Sequence, residues 1–202
     1  MGFFKIGDTT YVVFHDERYI GREWLYHAFF ILNKELLEME LRKIDSIKND
    51  NGYSGKVRFK EIRSTSSRSF TIAKSWIRLF YSELYRTCRY SILGVNLNNI
   101  DYDFFGTRGD RGRRGRIFQR FFEIGLYGSL RYFFPSGRVN VSGIFTDPKN
   151  FALGHPFYWR PIYNIRAKEI FKINKICINS DEITILERNT FLEVTDVLIG
   201  CE

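Results

Sequence analysis

The chain has 202 residues, a mass of 24.0 kDa, a net charge of +8 and a pI near 9.4. No stretch approaches the roughly 20 apolar residues that a membrane span requires, and the amino terminus lacks the apolar core of a signal peptide. The three cysteines, Cys88, Cys177 and Cys201, form no CxxC pair. These features exclude a disulfide scaffold and a zinc-ribbon site, and they predict a cytoplasmic protein with reduced, buried thiols and no membrane segment.

The predicted elements alternate between strands and helices along the chain. Apolar runs and alternating patterns predict strands at residues 10–15, 24–33, 56–62, 88–96, 138–146 and 174–179. Amphipathic spacing predicts helices at residues 33–47, 70–86 and 117–133, and a closing helix over NTFLEVTDVLIGCE. This order predicts an α/β fold with a mixed sheet, in a single domain over residues 1–202.

Four carboxylates stand where the predicted fold could gather acids. They are Asp16, Glu61 and Asp147 at the ends of predicted strands, and Asp196 in the apolar stripe of the closing helix. Acids at strand ends can meet at one edge of a sheet, and a helix packed there can add another. Mg²⁺ prefers oxygen ligands of this kind, and two such ions about 4 Å apart can activate water and stabilise the leaving oxygen of a phosphodiester.

Each acid also has a purely structural interpretation. A buried carboxylate such as Asp196 is costly unless it is paired or metal-bound, but a hydrogen bond at the edge of the helix stripe explains it equally well. Asp16 and Asp147 can be turn formers, and Glu61 lies in a charged run. Glu17 points away from Asp16 if the strand continues, because neighbours in a strand face opposite sides. The metal-site hypothesis therefore depends on the whole set.

Other chemistries find little support in the sequence. The three histidines, His15, His27 and His155, are too scattered for a metal motif, and the apolar surroundings of His27 favour a core residue. There is no GxSxG elbow for a serine hydrolase and no GxxxxGK[ST] loop for nucleotide hydrolysis.

The order of the acidic motifs resembles a known family, the ribonuclease-H-like proteins catalogued as domain of unknown function 3800. That family opens with a strand running into Asp-Glu-Ser-Gly. It continues with a His-Phe-x-Glu-like segment, a late strand ending in Asp, and a closing helix reading roughly Leu-Gln-x-Ala-Asp-x-Ile-x-Gly. The corresponding segments here are FHDERYIG, VRFKEI, GIFTD and FLEVTDVLIG, so the resemblance covers nearly the whole chain.

Matches occur in all four motifs, and departures occur in three of them. The matching residues are Asp16, Glu17, Phe59, Glu61, Asp147, Leu192, Asp196 and Gly200. The departures are Arg18 and Tyr19 in place of Ser and Gly, Arg58 in place of His, and Glu193 in place of Gln.

The resemblance implies a ribonuclease-H-like mixed sheet flanked by helices and a nuclease core that depends on Mg²⁺ or Mn²⁺. It implies that Asp16, Glu61, Asp147 and Asp196 are the catalytic metal ligands, with Glu17 beside Asp16 as a further candidate ligand. Members of this family are often found near mobile elements and phage-defence genes, so a role in antiviral defence is an expectation of the same resemblance.

A glycine- and arginine-rich loop, GTRGDRGRRGR, spans residues 106–116. Its arginines are Arg108, Arg111, Arg113, Arg114 and Arg116, against one acid, Asp110. Guanidinium groups bind phosphates in a bidentate geometry, so the loop predicts salt-sensitive and largely sequence-independent binding of a DNA or RNA backbone. A solvated, disordered loop or a surface for an acidic protein would have the same composition.

Three functions follow, from different classes. The first is a Mg²⁺- or Mn²⁺-dependent nuclease, in which metal and not a protein base activates water. The second is an inactive module of the same fold that binds nucleic acid or a partner protein within a larger complex, which the altered Ser, Gly and His positions favour. A third is a structural subunit that docks a partner through exposed aromatic residues. Metal binding separates the first from the second.

Overall fold

The computed structural model describes residues 9–110, 112–135, 139–146, 176–178 and 190–201. The strands are β1 (Thr10–Ile20), β2 (Trp24–Asn33), β3 (Cys88–Asn96), β4 (Val139–Thr146) and β5 (Ile176–Ile178). The longer helices are α1 (Leu37–Asp50), α2 (Arg68–Leu79), α3 (Arg113–Phe133) and α4 (Thr190–Gly200). A π-helical turn, Phe80–Leu84, and a last helical turn, Tyr85–Thr87, continue α2.

The described strands form one five-stranded sheet in the order β3-β2-β1-β4-β5. The pairs β1–β2 and β2–β3 are antiparallel, whereas β1–β4 and β4–β5 are parallel. β1 and β2 are joined by a tight turn that begins at Gly21, whose φ of 59° is readily adopted by glycine. The predicted α/β fold class, with a mixed sheet flanked by helices, is confirmed.

Both faces of the sheet are covered, which explains why β1 and β2 are apolar almost without interruption. On one face Val13 and Phe29 pack with Phe122 of α3. On the other face Phe14 and Phe30 pack with side chains of α1, α2 and α4. Successive residues of β1 therefore enter two different cores, because side chains alternate across a strand.

Three sequence predictions need correction. The first strand does not end at residue 15, because its pairing with β2 continues to Ile20↔Trp24. Residues 56–62 form no sheet strand: Arg58 is extended, and a 3₁₀ turn follows at Phe59–Glu61. The predicted loop 106–116 ends early, since α3 begins at Arg113.

Cysteines and membrane segments can be checked over the same residues. Cys88 is buried, as expected, but Cys201 is exposed and the prediction of a core thiol is wrong there. Across the described ranges, no helix is both long enough and apolar enough to cross a membrane.

Candidate carboxylate site and arginine cleft

Asp16 lies where β1 parts from its parallel neighbour. In the described residues the pairing of β1 with β4 extends as far as His15↔Thr146, and Asp16 is the next residue of β1. Its Oδ1 accepts a hydrogen bond from the Glu17 amide at 3.0 Å, and the residue is half-buried. Asp147 directly follows Thr146 in the sequence but lies outside the described residues.

Asp196 lies on α4, which packs against β1. Its Oδ2 accepts a hydrogen bond from the Phe59 amide at 2.8 Å. One turn earlier, Glu193 accepts one from the Val57 amide at 3.0 Å and pairs with Lys48 of α1 at 3.0 Å. Two acids of α4 therefore accept hydrogen bonds from alternate amides of residues 57–61, which we call the 57–61 segment.

The surroundings of Asp196 are cationic. Burial raises the pKa of the Asp196 carboxyl above its usual range, and the Phe59 amide together with the charges of Arg18, Arg58 and Lys60 opposes that rise. The guanidinium of Arg18 lies 4.5 Å from the centre of the Phe59 ring. The Asp196 carboxylate is thus partly desolvated, and the positive charges of Arg18, Arg58 and Lys60 are close enough to stabilise its charged form.

Glu61 lies at the end of the same segment. It is exposed, and its Oε1 lies 3.3 Å from Nη1 of Arg58, which also acts on Asp196. Over the described part of the chain, no three His, Cys, Asp or Glu side chains are close enough together to hold a metal ion. With Asp147 outside the description, the four-acid set remains a prediction.

Because side chains alternate between the two faces of β1, Glu17 lies on a different face from the other candidate acids. His15 contacts Phe122 of α3, and Tyr19 belongs to the cluster of Ile117 on the same helix, whereas Arg18 faces Phe59 on the opposite side. Residues two apart in a strand face the same side, so Asp16 faces the same side as Arg18, and Glu17 faces the same side as His15 and Tyr19. Glu17 is therefore placed on the α3 side of the sheet, away from Asp196.

The structure brings together two histidines that the sequence analysis kept apart. Nε2 of His15 lies 2.9 Å from Nδ1 of His27, and Nδ1 of His15 lies 3.0 Å from Oγ1 of Thr146. Both rings are fully buried. Burial lowers the pKa of His27 to about 3, and burial together with His27 lowers that of His15 well below its usual value. The pair is a neutral core element, as expected for His27.

The arginine loop forms one wall of a cleft on the α3 side of the sheet. The cleft has a volume of about 330 Å³, and we call it the arginine cleft. Its lining consists of Tyr19, Leu97, Tyr102, Arg108, Gly109, Asp110, Arg113, Arg114 and Ile117. β1, the chain after β3 and the start of α3 all contribute, so the cleft exists only in the folded chain.

The five predicted phosphate-binding arginines are not equivalent. Arg108, Arg113 and Arg114 line the cleft. Arg116 pairs with Asp110 and donates from Nε to the Phe105 carbonyl at 2.8 Å, so it supports the loop from outside the cleft lining. Arg111 lies outside the described residues.

The solved structures that this chain resembles include two ribonucleases. The ribonuclease HII of Archaeoglobus fulgidus, solved in complex with PCNA, aligns with a TM-score of 0.44 and 12% identity over 96% of this chain and 71% of its own. The ribonuclease H2 of Pyrococcus horikoshii OT3 aligns with a TM-score of 0.44 and 15% identity over 93% and 69%. No family model matches the chain, and no curated protein matches it. The roles of the candidate residues therefore rest on their own geometry.

Proposed function

We propose that this chain is a nuclease-type domain that hydrolyses nucleic-acid phosphodiesters with Mg²⁺ or Mn²⁺. The observation that carries the proposal is the approach of α4 to β1: half-buried Asp196 comes within electrostatic range of Arg18, on the β1 face that also carries Asp16. Membership of the domain of unknown function 3800 family, and a role in phage defence or a mobile element, belong to the same proposal.

The candidate ligands fit a hard divalent cation in kind, because all of them are carboxylates. Asp16, Asp196, Asp147 and Glu61 would hold it. When bound, such an ion activates water and stabilises the leaving oxygen.

The cations beside the carboxylates have a role of their own in this proposal. Carboxylates alone would repel a phosphodiester, whereas Arg18 and Lys60 place positive charge next to Asp196. Arg58 balances the charge of Glu61 through their 3.3 Å contact. These three residues would orient the phosphate backbone at the site.

The test is Mn²⁺ calorimetry combined with cleavage of labelled DNA and RNA. We expect the wild type to bind Mn²⁺ and to cleave at least one substrate, and EDTA to stop the cleavage. Asp16→Asn and Asp196→Asn should lose both properties; the new amide at position 196 still offers an oxygen to the Phe59 amide. Asp50→Asn, at an exposed acid of α1, is the matched control and should behave like the wild type.

Two results would overturn the nuclease proposal. One is no Mn²⁺ binding and no cleavage even with DNA and RNA present. The other is full activity in both variants.

A second candidate, an inactive module that binds nucleic acid or a partner protein, is favoured by one observation. Asp196 and Glu193 already have structural partners in the amides of Phe59 and Val57. In that case Asp196→Asn would lower stability and leave nucleic-acid binding unchanged, and Mn²⁺ would have no effect.

A further inference from the structure

The arginine cleft carries an excess of positive charge at its surface. Arg108 and Arg114 are exposed, and Arg113 is partly exposed. Among the described lining residues the one carboxylate is Asp110. It pairs with Arg116 and accepts a hydrogen bond from the Gly112 amide at 2.8 Å, and these contacts lower its pKa. Arg113 donates from Nη1 to the Gly106 carbonyl at 3.3 Å, so its other N–H groups and the guanidinium groups of Arg108 and Arg114 are left for an anion.

Two of these guanidinium groups are held against aromatic rings. Arg113 lies 4.8 Å from the ring centre of Tyr102, and Arg114 lies 4.7 Å from that of Tyr19. Both distances are within the range of cation–π attraction. A guanidinium stacked on a ring keeps its N–H edges for a phosphate, and its restricted motion reduces the entropy lost on binding.

The floor of the cleft is apolar. Leu97 and Ile117 are exposed by only 8% and 6% and belong to one core cluster with Tyr19 and Tyr102. A volume of about 330 Å³ falls in the range of small-ligand pockets. A ligand that matches both the guanidinium groups and the apolar floor carries a phosphate and a flat, largely apolar ring.

We propose that the arginine cleft binds one unstacked nucleotide of a single strand, with its phosphate on Arg108, Arg113 and Arg114 and its base against the apolar floor. This assignment names the substrate class of the proposed nuclease and rests on that function. Single-strand binding proteins combine cationic grooves with aromatic platforms in the same way. A duplex keeps its bases stacked inside, so only its phosphates would reach the cleft unless a base were flipped out at additional cost.

The same stretch of β1 contributes residues to both the arginine cleft and the carboxylate site. Tyr19 faces the cleft, and Asp16 lies three residues earlier on the opposite face. Three residues of a strand span about 10 Å. Tyr19 and Asp16 are therefore about 10 Å apart along β1, on opposite faces of the sheet.

The test is fluorescence anisotropy with a labelled single-stranded oligonucleotide, in EDTA so that no cleavage occurs. We expect the single strand to bind more tightly than its duplex and than free adenosine monophosphate. An abasic version of the strand should bind roughly 10-fold more weakly, from the loss of base packing. The double variant Arg108→Ala/Arg114→Ala should weaken binding by about 10-fold or more, and its salt slope should fall by about 1.4, since each single-strand phosphate contact contributes roughly 0.7.

Arg86→Ala is the matched control, because exposed Arg86 also lies over a tyrosine ring, that of Tyr85 at 5.5 Å, but lines no part of the cleft. It should bind like the wild type, and circular dichroism should show all variants folded. Equal binding of duplex and single strand, equal binding of free nucleotide, or a double variant that binds like the wild type would overturn the assignment.

The outcome separates this assignment from the nuclease proposal. Asp196→Asn should keep full binding in EDTA while it loses cleavage. If cleavage persists and the cleft variants bind normally, only the cleft assignment fails. If the cleft binds as expected and no Mn²⁺-dependent cleavage is found, only the nuclease proposal fails.

Discussion

The two faces at the end of β1 are built in opposite ways. On the α4 face, the carboxylates of Glu193 and Asp196 are largely withdrawn from solvent and hold backbone amides of the 57–61 segment. On the α3 face, the guanidinium groups of Arg108 and Arg114 stay exposed. The charged groups on the α4 face are used in contacts that hold the fold together, whereas those on the α3 face are exposed and can bind a ligand. Stability and ligand binding should therefore respond to different substitutions.

The largest effect on stability is expected for Glu193→Ala. The side chains of Glu193 and Lys48 are only 13% and 14% exposed, and removing one partner of a buried pair costs about 3–4 kcal/mol. Glu193→Gln still offers an oxygen to the Val57 amide, so its cost should be smaller, about 1–2 kcal/mol. Urea unfolding measures both. Equal stability of wild type and Glu193→Ala would show that α4 does not depend on this contact.

A comparable loss is expected for Gly200→Ala. A Cβ at Gly200 would overlap the ring of Phe59, and overpacking of this kind costs about 1–3 kcal/mol. Gly128→Ala on α3 is the control, since no atom lies within 4 Å of the added Cβ, and it should stabilise by up to about 1 kcal/mol. If thermal unfolding shows the two variants alike, close packing between α4 and the 57–61 segment is not needed for stability.

Acid should destabilise the core between these faces. The folded-state pKa values of His15 and His27 lie below the unfolded value of 6.5, so below about pH 6.5 the unfolded chain binds more protons. The stabilising contribution is complete above that pH and is lost as the pH falls toward the folded pKa values. For two histidines the loss between about pH 7.5 and pH 5.5 is on the order of 3 kcal/mol.

Urea midpoints at the two pH values measure this loss. His27→Asn, which still offers an amide group to His15, should show about half of this loss. An unchanged pH dependence in that variant would assign the acid sensitivity to other groups.

The smallest stability effect is expected on the α3 face. Arg114→Ala removes an exposed side chain whose contact is a cation–π pair with Tyr19, so the free energy of unfolding should change by less than about 1 kcal/mol. Its affinity for a single strand should nevertheless fall. A large loss of stability in Arg114→Ala would show that the charge on the α3 face is also needed for folding, and the proposed difference between the two faces would be wrong.

Local patterns were sufficient to predict much of the sheet. β2 and β3 have the predicted bounds, residues 24–33 and 88–96, because each is an uninterrupted strand pattern ended by turn residues. β1 was predicted too short, since Asp16 to Ile20 are polar or mixed and are kept in the strand by pairing with β2. At those positions the hydrogen bonds to β2 determine the structure, and the weak strand propensity of the residues does not.

The 57–61 segment shows where alternation misleads. KVRFKE has the period of a half-buried strand, but its amides bond to side chains of α4 and not to a neighbouring strand. Periodicity predicts which residues face inward and does not identify the hydrogen-bond partner. The His15–His27 contact was missed for a related reason: it depends on the register of the β1–β2 hairpin, and recognition of the turn at Gly21 was the signal that could have revealed it.

The turn at Gly21 has a consequence for both faces at once. Together with the packing of Val13 and Phe14 into the two cores, it sets which residues of β1 face α3 and which face α4. A one-residue slip of the hairpin would carry Tyr19 away from the cleft and turn Asp16 and Arg18 away from α4, because every side chain of a strand changes sides together. A single-residue insertion or deletion within β1, between Phe14 and Asp16, should therefore disable the carboxylate site and the arginine cleft together.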